Sequence, residues 1–66
     1  GNYYLSFGKF KIPSAAKKLR QDIKSKAGVE TDIIMVDGTY RVVIPYVNKD
    51  KAMSASQDFP STTLFE

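Results

Sequence analysis

Apolar and small or polar residues alternate at the start of the chain. Tyr3, Leu5 and Phe7 take the odd positions, and Tyr4, Ser6 and Gly8 the even ones. A period of two is that of a strand, so the pattern predicts one from Asn2 to Phe10 with the odd set facing a core. Gly8 then falls on the opposite face, where a missing side chain allows close approach. Lys11, Ile12 and Pro13 break the alternation. Pro13 fits just before or inside a helix start, and Ser14 is a candidate N-cap. From Ala15 to Ala27 the period becomes helical. Ala16, Leu19, Ile23 and Ala27 share one stripe, with Ala15 beside it, and Gly28 closes the helix.

The clearest local signal follows. Thr31 to Val36 and Thr39 to Ile44 are two β-prone runs flanking Asp37-Gly38, a pair that favours a two-residue type I′ hairpin turn. A two-residue loop fixes the register, with Val36 opposite Thr39, Met35 opposite Tyr40, Ile34 opposite Arg41, Ile33 opposite Val42 and Asp32 opposite Val43. One face is then Ile33, Met35, Tyr40, Val42 and Ile44, which is apolar enough to pack on helices. The other carries Asp32, Ile34, Val36, Thr39, Arg41 and Val43. Pro45 is expected to end the strand. Asn48 or Asp50 caps a second helix running to about Asp58, with Ala52, Ala55 and Phe59 on its apolar stripe, and Pro60 stops it. Ser61 to Phe65 is β-prone and reads as a last short strand.

The order is β-α-β-β-α-β. That predicts an α+β fold of the ferredoxin or RNP-like kind: a four-stranded antiparallel sheet with two helices on one face and the other face open. No internal linker or low-complexity stretch interrupts it, so residues 1–66 are expected to form a single domain.

Composition narrows the function. A chain of 66 residues buries only about 60% of its unfolded surface, so the core is marginal. Cysteine and histidine are both absent. That removes disulfides, ordinary zinc sites and the usual nucleophile–base pairs. The seven carboxylates are scattered, and no glycine cluster forms a phosphate loop. The expectation is therefore a binding domain, not an enzyme, with no metal and no cofactor. No apolar run approaches the roughly 20 residues of a membrane-spanning helix. The net charge of +3 is mild, and a solvated helix face bearing Lys17, Lys18, Arg20, Lys24 and Lys26 accounts for most of it.

The open sheet face is the candidate site. Tyr4, Ser6, Thr39 and Arg41 come together there if the first and third strands are neighbours. An aromatic face stacks on a base or a sugar, and a guanidinium grips a phosphate or carboxylate. Ile34, Val36 and Val43 on the same face are costly to leave in water.

These residues also carry a resemblance. Tyr4-Leu5-Ser6-Phe7-Gly8-Lys9-Phe10, then Ala16 and Leu19, then Asp37 through Tyr46, then Ala52, resemble the SPOR domain, a peptidoglycan-binding module of bacterial division and envelope proteins. The resemblance spans nearly the whole chain. It implies recognition of glycan strands lacking stem peptides, and targeting of a parent protein to the septum or cell wall, in the bacterial envelope (periplasm) at the division site. The implied glycan-binding residues are Tyr4, Ser6 and Lys9 on the first strand, with Thr39 and Arg41 on the third. A hydrophobic contact from the last strand falls on Leu64 or Phe65, with Leu64 the candidate. Three departures from the family pattern stand out: Ser6 takes the place of a glutamine, Lys9 that of a serine, and Pro45 that of a Gly-Pro pair. The implied partner is the glycan strand, bound by a monomer, without nucleic acid and without membrane insertion by this segment. Two other readings stay open: a protein-interaction or regulatory ferredoxin-like domain, and an RRM-like nucleic-acid binder.

Overall fold

The computed structural model describes residues 2–66. Gly1 lies outside them. The elements run β1 (Tyr3–Phe10), α1 (Pro13–Ala27), β2 (Asp32–Val36), β3 (Thr39–Tyr46), α2 (Lys49–Asp58) and β4 (Thr63–Phe65). The antiparallel sheet has the order β2-β3-β1-β4. Both helices pack on the same layer of strands, so the expected α+β architecture is the one observed. Neither helix is long and apolar enough to cross a membrane.

The hairpin has the register its turn demands. Asp37 (φ 51°) and Gly38 (φ 78°) both take positive φ, the type I′ geometry that matches the twist of the flanking strands. Each pair from Val36–Thr39 to Asp32–Val43 is in place, and Thr39 Oγ1 donates to the Val36 carbonyl at 2.7 Å. Gly28 ends α1 in the left-handed region (φ 68°), its N–H donating to the Lys24 carbonyl at 3.0 Å. Asn48 caps α2 by accepting from the N–H groups of Asp50 (2.8 Å) and Lys51 (3.1 Å).

Several local expectations are corrected. Ser14 does not cap α1. The helix begins two residues earlier with Pro13 in its first turn, Ile12 in the cap position and no side-chain cap. The Pro ring presets φ and removes a donor that would have been orphaned. Pro45 does not end β3, which continues to Tyr46. Pairing with β2 stops at Val43, so beyond it β3 has a neighbour on one side only, where a strand tolerates proline. Met35 belongs to the apolar face but is 59% exposed. It sits at the turn end of an edge strand, with a strand neighbour on one side only. Ala27, at the last position of α1, is exposed as well.

The most consequential correction lies in β1. Its pairing with β3 slips between Ser6 and Gly8: Ser6 faces Val43, Gly8 faces Val42, and Phe7 is the extra residue of a β-bulge. The slip reverses the parity of everything after Phe7. Gly8 turns to the helix side, where a Cβ would lie 3.3 Å from Leu19 Cδ2 and 3.3 Å from the Phe10 ring. Phe7 stays on that side, its ring edge-on to Phe59 at 5.4 Å. Lys9 turns to the open face, directly across from Arg41.

On the helix side the core centres on Leu5, Val42, Ala16 and Ala52, all fully buried. Alanine at each helix contact lets the helix backbone approach the sheet closely. Burial of a side chain such as Leu5 or Val42 stabilises the fold by about 1.5–3 kcal/mol.

Two stability outcomes follow. Gly8→Val places methyl groups against Leu19 and Phe10 and should cost about 1–3 kcal/mol in urea unfolding. A neutral result would mean Gly8 does not pack under α1. Asn48→Ala should cost about 1 kcal/mol with an unchanged denaturant slope, since it removes two hydrogen bonds at the start of α2.

Candidate functional site on the open sheet face

The face away from the helices is built by strict register. It carries Asp32, Ile34 and Val36 from β2, Thr39, Arg41, Val43 and Pro45 from β3, Tyr4, Ser6 and Lys9 from β1, and Thr63 and Phe65 from β4. Leu64 pairs with the fully buried Leu5 and therefore lies on the helix side. Phe65, the other residue considered for this strand, takes the open position.

Arg41 organises this face. It starts on β3 at the level of Lys9, and its guanidinium carbon lies 5.0 Å from the Phe65 ring centroid. Phe65 is on β4 at the level of Tyr4. The side chain thus runs diagonally across β1 and crosses it at Ser6. The Phe65 ring holds the cation by its quadrupole, an interaction of about 0.5–2 kcal/mol depending on desolvation. Phe65 in turn stacks on Tyr4, with centroids 5.3 Å apart and ring planes at 30°. Tyr4, Phe65 and Arg41 form a continuous ledge of flat side chains.

Beneath the diagonal the floor is closed. Val43 is 0% exposed and Ser6 is 6% exposed, although both belong to the open face. The Ser6 hydroxyl donates to the Gly8 carbonyl at 3.4 Å, inside the bulge. Ser6 is therefore a floor residue whose hydroxyl has a partner within its own strand. Arg41 Nε is buried and has no hydrogen-bond partner, and among the described residues no carboxylate lies within ion-pair distance of the guanidinium.

Beside the ledge is a hollow of about 230 Å³ lined by Ser6, Phe7, Gly8, Lys9, Arg41, Ser61 and Thr63. It holds two cations, two hydroxyls of the β4 side and no carboxylate. The bulge brings Lys9 to the open face, and Phe7 on the helix side meets Phe59. Phe59 anchors the turn into β4, which is closed by Thr62 N–H and Oγ1 donating to the Phe59 carbonyl at 3.0 and 2.6 Å. That turn delivers Ser61 and Thr63 to the rim. A surface with this donor set favours an anionic group, and the adjoining aromatic ledge favours a flat apolar ring.

Of the residues singled out from sequence, Tyr4, Ser6, Lys9 and Arg41 come together here. Thr39 is on the same face but at the hairpin end, with its hydroxyl committed to Val36. It does not line the hollow, and neither does Leu64. Ser61 and Thr63 were not foreseen. Thr63 follows from Phe65 by alternation once β4 is known to be a strand, whereas Ser61 lies in a turn that carries no periodic signal.

Among curated proteins no relative matches this sequence. Of the solved structures, the solution structure of the peptidoglycan binding domain of the B. subtilis cell wall lytic enzyme CwlC is similar, with a TM-score of 0.64 and 25% sequence identity over 98% of this chain and 85% of that one. The sequence pattern of the SPOR domain matches residues 1–63. With the β-α-β-β-α-β order and the uncovered sheet face already in place, this chain belongs to the SPOR domain family.

Proposed function

We propose that this chain is a non-catalytic peptidoglycan-binding module, and that it recognises glycan strands from which the stem peptides have been removed. The observation that carries the reading is Arg41: stacked on Phe65, free of any carboxylate, and set at the edge of a hollow that also holds Lys9. A denuded strand exposes the lactyl carboxylate of each muramic acid. Arg41 and Lys9 supply charge-assisted donors for it, with Ser61 and Thr63 as neutral partners on the rim. Tyr4 and Phe65 offer the apolar surface on which a sugar ring rests. A stem peptide amide-linked at the lactyl group would cancel that charge and crowd the hollow. Membership of the SPOR family and likeness to a peptidoglycan binding domain support the same reading. In a parent protein, such a module would act as a targeting device for regions of the envelope, the division site included, where denuded strands accumulate.

The RRM-like alternative needs stacking aromatics on the open side of both central strands. Tyr40 pairs with Phe10 and Met35 on the helix side, and the open side of β3 carries Thr39, Arg41, Val43 and Pro45 instead.

Co-sedimentation with purified sacculi tests the reading. The chain should pellet with sacculi, and more strongly after amidase treatment. Equal binding before and after treatment would refute recognition of denuded glycan. Arg41→Gln should weaken binding by about tenfold or more, the loss of one strong charge-assisted contact of about 1.4 kcal/mol or above. Lys51→Gln, the same change of charge on the exposed start of α2, should leave it within about twofold, a change too small for the loss of a direct contact. Phe65→Leu should fall between the two, because it keeps apolar area but frees the guanidinium. Retained amide dispersion in NMR spectra of each variant separates lost binding from lost fold.

A further inference from the structure

Five of the ten cations of the chain lie on one helix, apart from Lys9 and Arg41 at the sheet site. Helix α1 carries five cations against the single carboxylate Asp22, which exceeds the whole net charge of +3. Three of the five are aligned. Lys17, Arg20 and Lys24 follow an i, i+3, i+7 spacing, which at 3.6 residues per turn keeps them within roughly 60° of one another over about 10 Å of helix. With Gln21 and Glu30 they line a hollow of about 290 Å³. Lys18 and Lys26 point elsewhere and do not line it.

We propose that this groove is a second anion-binding site, and that its ligand is a linear, flexible phosphodiester polyanion without bases. Charge and shape point to this class. The lining is three cations and an amide against one carboxylate, so the ligand is anionic. The cations form a row, so the ligand is extended. No aromatic or large apolar side chain lines the groove, so there is nothing on which bases stack and nothing to insert into a lipid surface. A glycan strand offers one carboxylate per disaccharide, too sparse for three cations along about 10 Å of helix. Phosphates joined by short linkers meet that spacing.

Glu30 supplies the means of exchange. Its carboxylate sits 2.9 Å from Lys24 Nζ, and both side chains are largely exposed. An incoming phosphate would displace it from Lys24 without unburying anything. The groove runs along the flank of α1 on the helix side of the sheet and shares no lining residue with the hollow beside Arg41. The module could hold a glycan strand on one side and an acidic polymer on the other.

The test is titration of the 66-residue chain with inorganic polyphosphate and with poly(glycerol phosphate), followed by amide chemical shifts and repeated at several salt concentrations. Shifts should concentrate at Lys17, Arg20, Gln21, Lys24 and Glu30. Lys17→Gln/Arg20→Gln/Lys24→Gln should lower affinity at least about tenfold and flatten the dependence of log K on log salt by about one unit per cation removed. Lys18→Gln/Lys26→Gln should lower affinity by less than about threefold, the loss of long-range attraction without a contact. Equal losses in the two variants would show diffuse attraction and overturn the groove. Tighter binding of oligothymidylate than of either polymer would overturn the choice of ligand. Loss of polyphosphate binding in Arg41→Gln would place the polyanion on the sheet face and overturn the second site.

Discussion

One inserted residue in β1 decides what the open face of this sheet can do. Strict alternation from Tyr3 would place Lys9 among the core residues and Gly8 on the surface. The bulge at Phe7 exchanges them. Gly8 goes where a Cβ would press on Leu19 and Phe10 at 3.3 Å, and Lys9 goes beside Arg41. Phe7, on the helix side, meets Phe59, which fixes the turn that brings Ser61 and Thr63 to the rim. An extra residue costs ladder hydrogen bonds and strand regularity. Here the Ser6–Gly8 hydrogen bond and the apolar contacts under α1 and α2 hold it in place.

The second determinant is the posture of Arg41. An arginine on an open sheet would ordinarily extend into water and sample many rotamers. Stacking on Phe65 holds it across β1 and roofs Ser6 and Val43, so the middle of the face is dry beneath a cation. The conformational entropy of the side chain is then lost on folding, before any ligand arrives. A guanidinium held in this way has no neighbouring carboxylate among the described residues to neutralise it.

Most of the fold was legible in the sequence because most of it is local. The Asp37-Gly38 turn set the register of five residue pairs, the change from period two to period 3.6 marked α1, and Gly28 and Asn48 marked helix ends by their own chemistry. The errors have non-local causes. Pro45 is tolerated because β2 is short, which no window around residue 45 reveals. Met35 is exposed because its strand is an edge. The bulge has no signature in the alternation itself, since Phe7 suits the core under either parity. The site was legible where register alone fixed it, at Tyr4 and Arg41. It was not legible for Ser61, whose place depends on a long-range aromatic contact, and the choice between Leu64 and Phe65 needed the pairing of β4 with β1.

The central claim is that the Arg41–Phe65–Tyr4 ledge and the hollow beside it form the glycan surface. Amide and aromatic chemical-shift mapping of the labelled chain, titrated with purified denuded glycan strands, tests it most directly. The account predicts that perturbations cluster at Tyr4, Lys9, Arg41, Ser61, Thr63 and Phe65, with α1 and α2 nearly silent. Perturbations centred on the helices, or on the hairpin end around Thr39 with the Phe65 ring unmoved, would contradict it.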